Sequence, residues 1–237
     1  MAKNKLKRKH RKPVPTNLAD MNCKPDSYYS GTRDKMLKYV PKDVKTTLEF
    51  GCGFGGFSAL LKKELGVEAW AVEIDKAAAA EAAKKLDKVI CADAHESVSE
   101  IPDDYFDCVI FLDMLEHLAD PYSLLVALKK KLTTRGVVLT SIPNVRYYHN
   151  YIDFAIKGDW DYKDAGTLDK THLRFFTYKS ILKTFDHLGF EVLLMEGIHV
   201  TRNKKLRLLN LLLFNALEDL KYLHFVTVAK PRTENKP

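Results

Sequence analysis

From residue 46 onward the apolar positions fall into short runs separated by stretches with helical spacing. Thr46–Phe50, Val67–Glu73, Lys88–Ala92, Phe106–Leu112 and Val137–Ile142 read as strands. The fourth, with DCVIFL at its heart, is nearly all apolar, as expected for a strand covered on both faces. Phe57–Leu65, Lys76–Leu86 and Pro121–Leu132 read as the helices between them, the second alanine-rich and strongly helix-forming. Strand and helix alternate, which predicts a parallel, doubly wound α/β sheet. A helix over Thr177–Leu188, closed by Gly189, leads into a sixth strand at Phe190–Met195. A leucine-rich helix over residues 203–221 then precedes a last strand at Phe225–Ala229. These two strands are expected to meet as a hairpin with the helix inserted between them.

Two stretches stand outside this rhythm. Residues 144–177 are irregular and rich in aromatics, among them Tyr147, Tyr148, Trp160, Tyr162, Phe175 and Phe176. A segment of that length after a central strand is more often functional than a plain connector. At the other end, residues 1–20 read as a basic flexible arm, and residues 21–230 as one domain opened by a short helix over Thr32–Tyr39.

The turn after the first strand carries the first chemistry. LEFGCGFGGF places Gly51, Gly53, Gly55 and Gly56 within six residues, between a strand and a helix. Glycine permits positive φ, and without a Cβ it lets a ligand lie against the backbone. The helix that follows points free N–H groups at that ligand. Gly51-x-Gly53-x-x-Gly56 satisfies a dinucleotide pattern. Gly51-x-Gly53-x-Gly55 behind Glu49 satisfies a pattern for S-adenosylmethionine (SAM). At this point both stay open.

Carboxylates at later strand ends narrow the choice. Glu73 ends the second strand, where an acid can accept from both ribose hydroxyls; Asp93 and Ala94 follow the third, where they can meet an adenine edge. Asp113-Met114-Leu115-Glu116-His117 follows the fourth. A dinucleotide enzyme has no systematic need for acids at all three strand ends. A SAM site must hold an amino acid, a ribose and an adenine along that row.

The net charge of +7 changes the picture only at the N-terminus. Residues 1–12 carry seven cations and no acid, so the other 225 residues sum to zero. The basic balance belongs to the arm, which could meet RNA, acidic lipid headgroups or another acidic surface but reads first as a solvated extension, so nucleic acid is not an expected partner. No apolar region follows the arm as in a signal peptide, and no run of about 18 apolar residues occurs. Cys23, Cys52, Cys91 and Cys108 form no CxxC pair; the last three are expected as small reduced hydrophobes, in a cytoplasmic protein.

EFGCGFGG, AVEIDK, CADA and FLDMLEHLADP together resemble the motifs of class I SAM-dependent methyltransferases, over about residues 28–230. Downstream, SIPNVRYYHN, KGDWDYKDAGTLDKTHLRFFT and LGFEV resemble a bacterial sub-group associated with surface polysaccharide and glycan biosynthesis. The resemblance implies a Rossmann-like, seven-stranded, mostly parallel sheet with the last strand antiparallel. It assigns the methionine part to Glu49, Gly51 and Gly53, the ribose to Glu73, and the adenine to Asp93 and Ala94. Asp113 and Leu115 would lie beside the sulfonium, and Tyr28 and Arg33 in the pre-sheet helix covering the cofactor.

The expected reaction is in-line transfer of the SAM methyl group to a hydroxyl (or amine) of a small molecule or glycan precursor. His117 and His172 are candidate bases, and Arg174 and Asn144 candidate contacts for an anionic or hydroxyl-rich acceptor. The expected site is metal-free. The alternative is a divalent ion on Asp113, Glu116 and His117, a spacing that resembles metal-assisted O-methyltransferases of quinone biosynthesis. An RNA or protein methyltransferase using the arm, a non-catalytic SAM-binding module and an NAD-dependent oxidoreductase are the rival activities. The helix at 203–221, flanked by Arg202, Lys204, Lys205 and Arg207, reads as a lid or homodimer helix, or as a contact with a membrane or lipid-linked substrate.

Overall fold

A computed structural model describes residues 33–232. Tyr28 and the basic arm at 1–20 lie outside the described residues. The described residues form a seven-stranded sheet in the order β3-β2-β1-β4-β5-β7-β6. Its strands are β1 (Thr46–Phe50), β2 (Glu68–Val72), β3 (Lys88–Ile90), β4 (Phe106–Leu112), β5 (Leu132–Pro143), β6 (Phe190–Val200) and β7 (Tyr222–Pro231). The first five pair in parallel, while β7 runs antiparallel to both β5 and β6. The expected doubly wound sheet and closing hairpin are both present.

Helices α1 (Gly56–Leu65), α2 (Lys76–Ala83), α3 (Pro121–Leu128), α4 (Tyr148–Ala155), α5 (Tyr178–His187) and α6 (Lys204–Leu212) complete the frame. Their starts are written locally. Asp75 caps α2 by accepting from Ala78 N–H at 2.8 Å, and Asp120 caps α3 ahead of Pro121. Thr177 and Ser180 form a reciprocal capping box on α5.

Each sheet face buries its own core. Phe50, Val109, Phe111, Leu124, Leu128 and Phe185 lie on one side, and Phe57, Leu61, Ala69, Cys108, Ile110 and Leu139 on the other. The alternation along β4 is why that strand reads as continuously apolar. A register shift between Phe106 and Cys108 puts Phe106 on the same face as Val109 and Phe111. Phe50 and Phe111 stack with centroids 4.9 Å apart. Cys52 and Cys108 are buried and burial pushes their thiols up, whereas Cys91, against expectation, is exposed.

Other departures have local causes. The opening helix is a 3₁₀ turn at Asp34–Tyr39, entered through Arg33 in the left-handed region. Strand β5 begins at Leu132, five residues early, because Gly136 lets it pass under Phe106: a Cβ there would lie 2.7 Å from the Phe106 carbonyl. The leucine-rich helix stops at Leu212. Phe214 and Asn215 take positive φ, and a 3₁₀ turn at Glu218–Lys221 carries the chain to β7.

Candidate active site

The loops that follow β1, β2, β3 and β4 lie at the carboxyl ends of those strands, where a doubly wound sheet binds ligands. In the glycine turn, Gly51, Gly53 and Gly55 all have φ between 55° and 74°. A Cβ on Gly51 would meet Met114 Cγ at 3.0 Å, so the loop after β4 closes directly over this turn. Glu73 holds the turn from the other side. One carboxylate oxygen accepts from Gly53 N–H at 2.8 Å and the other from Asp75 N–H at 3.0 Å. Burial raises its pKa, while these backbone donors favour the ionised form.

Glu49 lies beneath, buried, and accepts a 2.5 Å hydrogen bond from the Ser58 hydroxyl. Burial pushes its carboxyl up to about 7, against the opposing pull of Ser58 and Arg33. Asp93 is half-exposed and accepts from His95 N–H at 2.8 Å, beside buried Ala94. The row Glu49, Gly51, Gly53, Glu73, Asp93, Ala94 thus follows successive strand ends.

Asp113 has φ 55° and stands at the rim of a cleft of about 1090 Å³. Its carboxylate pairs with Arg33 at 3.3 Å and accepts from the Ser141 hydroxyl at 3.0 Å. Arg33 also donates to the Leu112 carbonyl, tying the 3₁₀ turn to the end of β4. His224 Nε2 lies 3.6 Å from Asp113, and burial lowers its pKa while Asp113 opposes that shift. Ser141 and His224 line the cleft, yet neither is singled out by sequence pattern. Ser141 reaches it through the β4–β5 pairing at Leu112↔Ser141, and His224 only because β7 pairs with β5 at Pro143↔His224.

A second cluster lies behind the same loop. Glu116 is 1% exposed, and neither carboxylate oxygen has a hydrogen-bond partner among the described residues. His172 Nε2 lies 3.9 Å from it, and the His117 and His172 rings meet edge to face at 4.7 Å. Thr171 Oγ1 lies 3.0 Å from His117 Nδ1, and the Thr167 carbonyl 3.2 Å from His172 Nδ1. The Leu173 and Arg174 N–H groups both donate to the Glu116 carbonyl, locking the two segments together. One ligand-type atom from each of Glu116, His117 and His172 falls within 4.8 Å of the others. This cluster differs from the alternative set of Asp113, Glu116 and His117: His172 enters it, while Asp113 is engaged by Arg33 and Ser141. Desolvation, and secondarily the charge of Asp113, raises the Glu116 pKa well above its ordinary value.

Leu115 is buried in the core beneath this loop. Arg174 is exposed, and its guanidinium donates to the carbonyls of Ala119 and Leu173. Asn144 has to be withdrawn as an acceptor contact. It is fully buried, and its side chain donates to the Asp219 and Tyr222 carbonyls at 2.8 and 2.9 Å. The aromatic segment builds a wall: Phe154, Trp160 and Phe175 meet in sequence at 5.8 and 5.6 Å, and Phe175 faces His172 at 6.4 Å.

Residues 24–194, most of the chain, match the family model of a methyltransferase domain. The chain belongs to that methyltransferase family. It is 30% identical over 168 residues to a ubiquinone biosynthesis O-methyltransferase of Vibrio atlanticus (strain LGP32), covering 65% of this chain and 67% of that one. A SAM-dependent methyltransferase from Archaeoglobus fulgidus superimposes with a TM-score of 0.64 at 23% identity, over 86% of this chain and 97% of its own. One from Mesorhizobium loti does so at 0.57 and 17% identity, over 83% and 95%. The protein is a SAM-dependent methyltransferase, and SAM is its cofactor. No helix among the described residues is long and apolar enough to cross a membrane.

Proposed function

We propose that this methyltransferase alkylates a hydroxyl (or amine) of a small molecule or glycan precursor, with a hydroxyl the favoured acceptor. The observation that carries the choice is the Glu116–His172–His117 cluster behind the Asp113–Leu115 loop. The sulfonium methyl is already electrophilic, so alignment of the acceptor opposite the C–S bond is the main task. An alcohol must also lose a proton, whereas an amine needs only to be uncharged. His117, only partly buried, takes that proton in this reading. Behind it the Glu116 carboxyl, which burial holds toward its neutral form, is drawn toward ionisation by the positive charge that results, with His172 beside both. In this reading the cofactor lies along Glu49, Gly51, Gly53, Glu73, Asp93 and Ala94, with Asp113 and the backbone of Leu115, whose side chain is in the core, beside the methyl group and Arg33 covering it. The V. atlanticus relative, named an O-methyltransferase, agrees with a hydroxyl acceptor.

A second reading, metal-assisted transfer, is favoured by the oxygens of Glu116, without a hydrogen-bond partner among the described residues, beside the two imidazoles. One carboxylate and two histidines would suit a divalent transition ion, which when bound lowers the pKa of an acceptor hydroxyl. Both histidines have Nδ1 next to backbone or hydroxyl oxygen, the outer-sphere arrangement that orients Nε2.

Turnover of methyl-labelled SAM against phenols, sugar nucleotides and amines tests the proposal. A hydroxyl acceptor should be methylated, and His117→Asn should lose about 10²-fold or more in kcat while SAM affinity stays within about twofold. Turnover of amines alone, or an undiminished His117→Asn enzyme, overturns the role given to the cluster. Metal analysis of the purified protein separates the two readings.

A further inference from the structure

Helix α6 is built inside out. The one residue it buries is polar and is bound within its own segment: Asn210 is 7% exposed, accepts from Leu217 N–H at 2.8 Å and donates to Glu218 at 2.8 Å. The residues it turns outward are leucines. Leu208, Leu211 and Leu212 are 60–67% exposed, and Phe214, just past the helix, is 96% exposed. Helical spacing puts Leu208, Leu211 and Leu212 on one face with Lys204 and Lys205 of the first turn. A lid helix closing on its own site would turn its leucines inward, so this outward face is made for something external.

Charge narrows what that is. Between residues 202 and 217 there are four cations, Arg202, Lys204, Lys205 and Arg207, and no acid. All four are exposed. Basic side chains at one end of an exposed apolar helical face match a bilayer interface, with acyl chains under the leucines and anionic headgroups around the cations. Topology gives the location a meaning. β6 is parallel to β1–β5, so its end at Val200, and α6 after it, lie at the same end of the sheet as the cofactor loops.

We propose that the face of α6 formed by Leu208, Leu211, Leu212 and Phe214, with its four flanking cations, docks on an anionic phospholipid bilayer and holds the mouth of the active site against it. The docking is independent of which acceptor is methylated, so it can fail while the proposed chemistry stands, and the reverse.

The test is sedimentation of the full-length protein with phosphatidylcholine vesicles containing 0 or about 30% phosphatidylglycerol, at low and high salt. The expected result is partition into the anionic vesicles, weakened by salt. Leu208→Ser/Leu211→Ser/Leu212→Ser/Phe214→Ser should reduce it by about a hundredfold. Lys204→Glu/Lys205→Glu should reduce it at least tenfold, each lost cation alone being worth about fivefold. Unchanged SAM affinity shows that the variants fold. No vesicle binding at any composition overturns the proposal. So does binding that survives the serine variant, which would place the contact on another basic segment. Equal binding to neutral vesicles overturns the role of the cations. A dimer that the serine variant dissociates, without vesicle binding, assigns the face to a second copy instead.

Discussion

Glu49 offers the sharpest test of the cofactor assignment. Burial raises its carboxyl from 4.5 to about 7. The ligand-free folded protein therefore binds a proton there more tightly than the unfolded chain does. Its stability contribution is fully present below the unfolded value of 4.5 and is lost as pH rises to about 7, a loss of about 3 kcal/mol in all. On the proposed reading, SAM brings its cationic methionine end to this carboxylate, which favours the ionised form. If the bound state restores the ordinary value, binding expels a proton anywhere between these two pKa values. SAM affinity at pH 5.5 should then lie about thirtyfold below its plateau near pH 8, about 2 kcal/mol. Titration calorimetry at several pH values measures this directly, and two buffers of different ionisation enthalpy at pH 6 count the proton released. Glu49→Gln should bind SAM more weakly at pH 8, lose the pH dependence, and stabilise the ligand-free protein above pH 7. A wild-type affinity flat within twofold from pH 5.5 to 8, or the same slope retained in Glu49→Gln, refutes the reasoning.

Three further outcomes are expected. Glu116→Gln should raise the melting temperature, and more at pH 8 than at pH 5, because a buried carboxyl with a raised pKa costs more stability as it ionises; kcat should fall in the same variant, as paired thermal-shift and turnover assays would show. Phe111→Ala removes one ring of the Phe50–Phe111 stack from a fully buried position and should cost about 3–5 kcal/mol in denaturant unfolding. Gly51→Ala combines a left-handed backbone with a 3.0 Å approach to Met114, so it should lower SAM affinity more than tenfold while costing about 1–2 kcal/mol of stability.

The parts legible in the sequence are those whose causes are local. Strands such as β4 announce themselves because both faces are buried and nearly every position, Asp107 at its start excepted, must be apolar. The glycine turn and the acids after β2, β3 and β4 lie within a few residues of strand ends, and parallel pairing brings strand ends together automatically. Long-range pairings are a different matter. His172 is a candidate in isolation, but its place beside Glu116, 56 residues earlier, depends on the Leu173 and Arg174 N–H bonds to the Glu116 carbonyl. His224 reaches Asp113 only through the antiparallel return of β7. The break at Phe214 follows from Asn210, whose side chain accepts from Leu217 N–H and whose carbonyl accepts from Asn215 N–H; leucine spacing carries no sign of it.

Asn144 gives the two insertions a common hinge pin. Its amide donates to the carbonyls of Asp219 and Tyr222, behind α6, while its oxygen accepts from Arg146 N–H at 3.0 Å, at the root of the aromatic segment. Arg146 in turn pairs with Asp219 at 3.3 Å. Neither the root of the aromatic segment nor the turn before β7 can move without stripping these bonds from a fully buried amide, at a cost of about 1–3 kcal/mol for each group left unpaired. Asn144 thus fixes the entry to the aromatic segment against the turn that leads into β7, so a displacement at either end of this bond set is felt at the other.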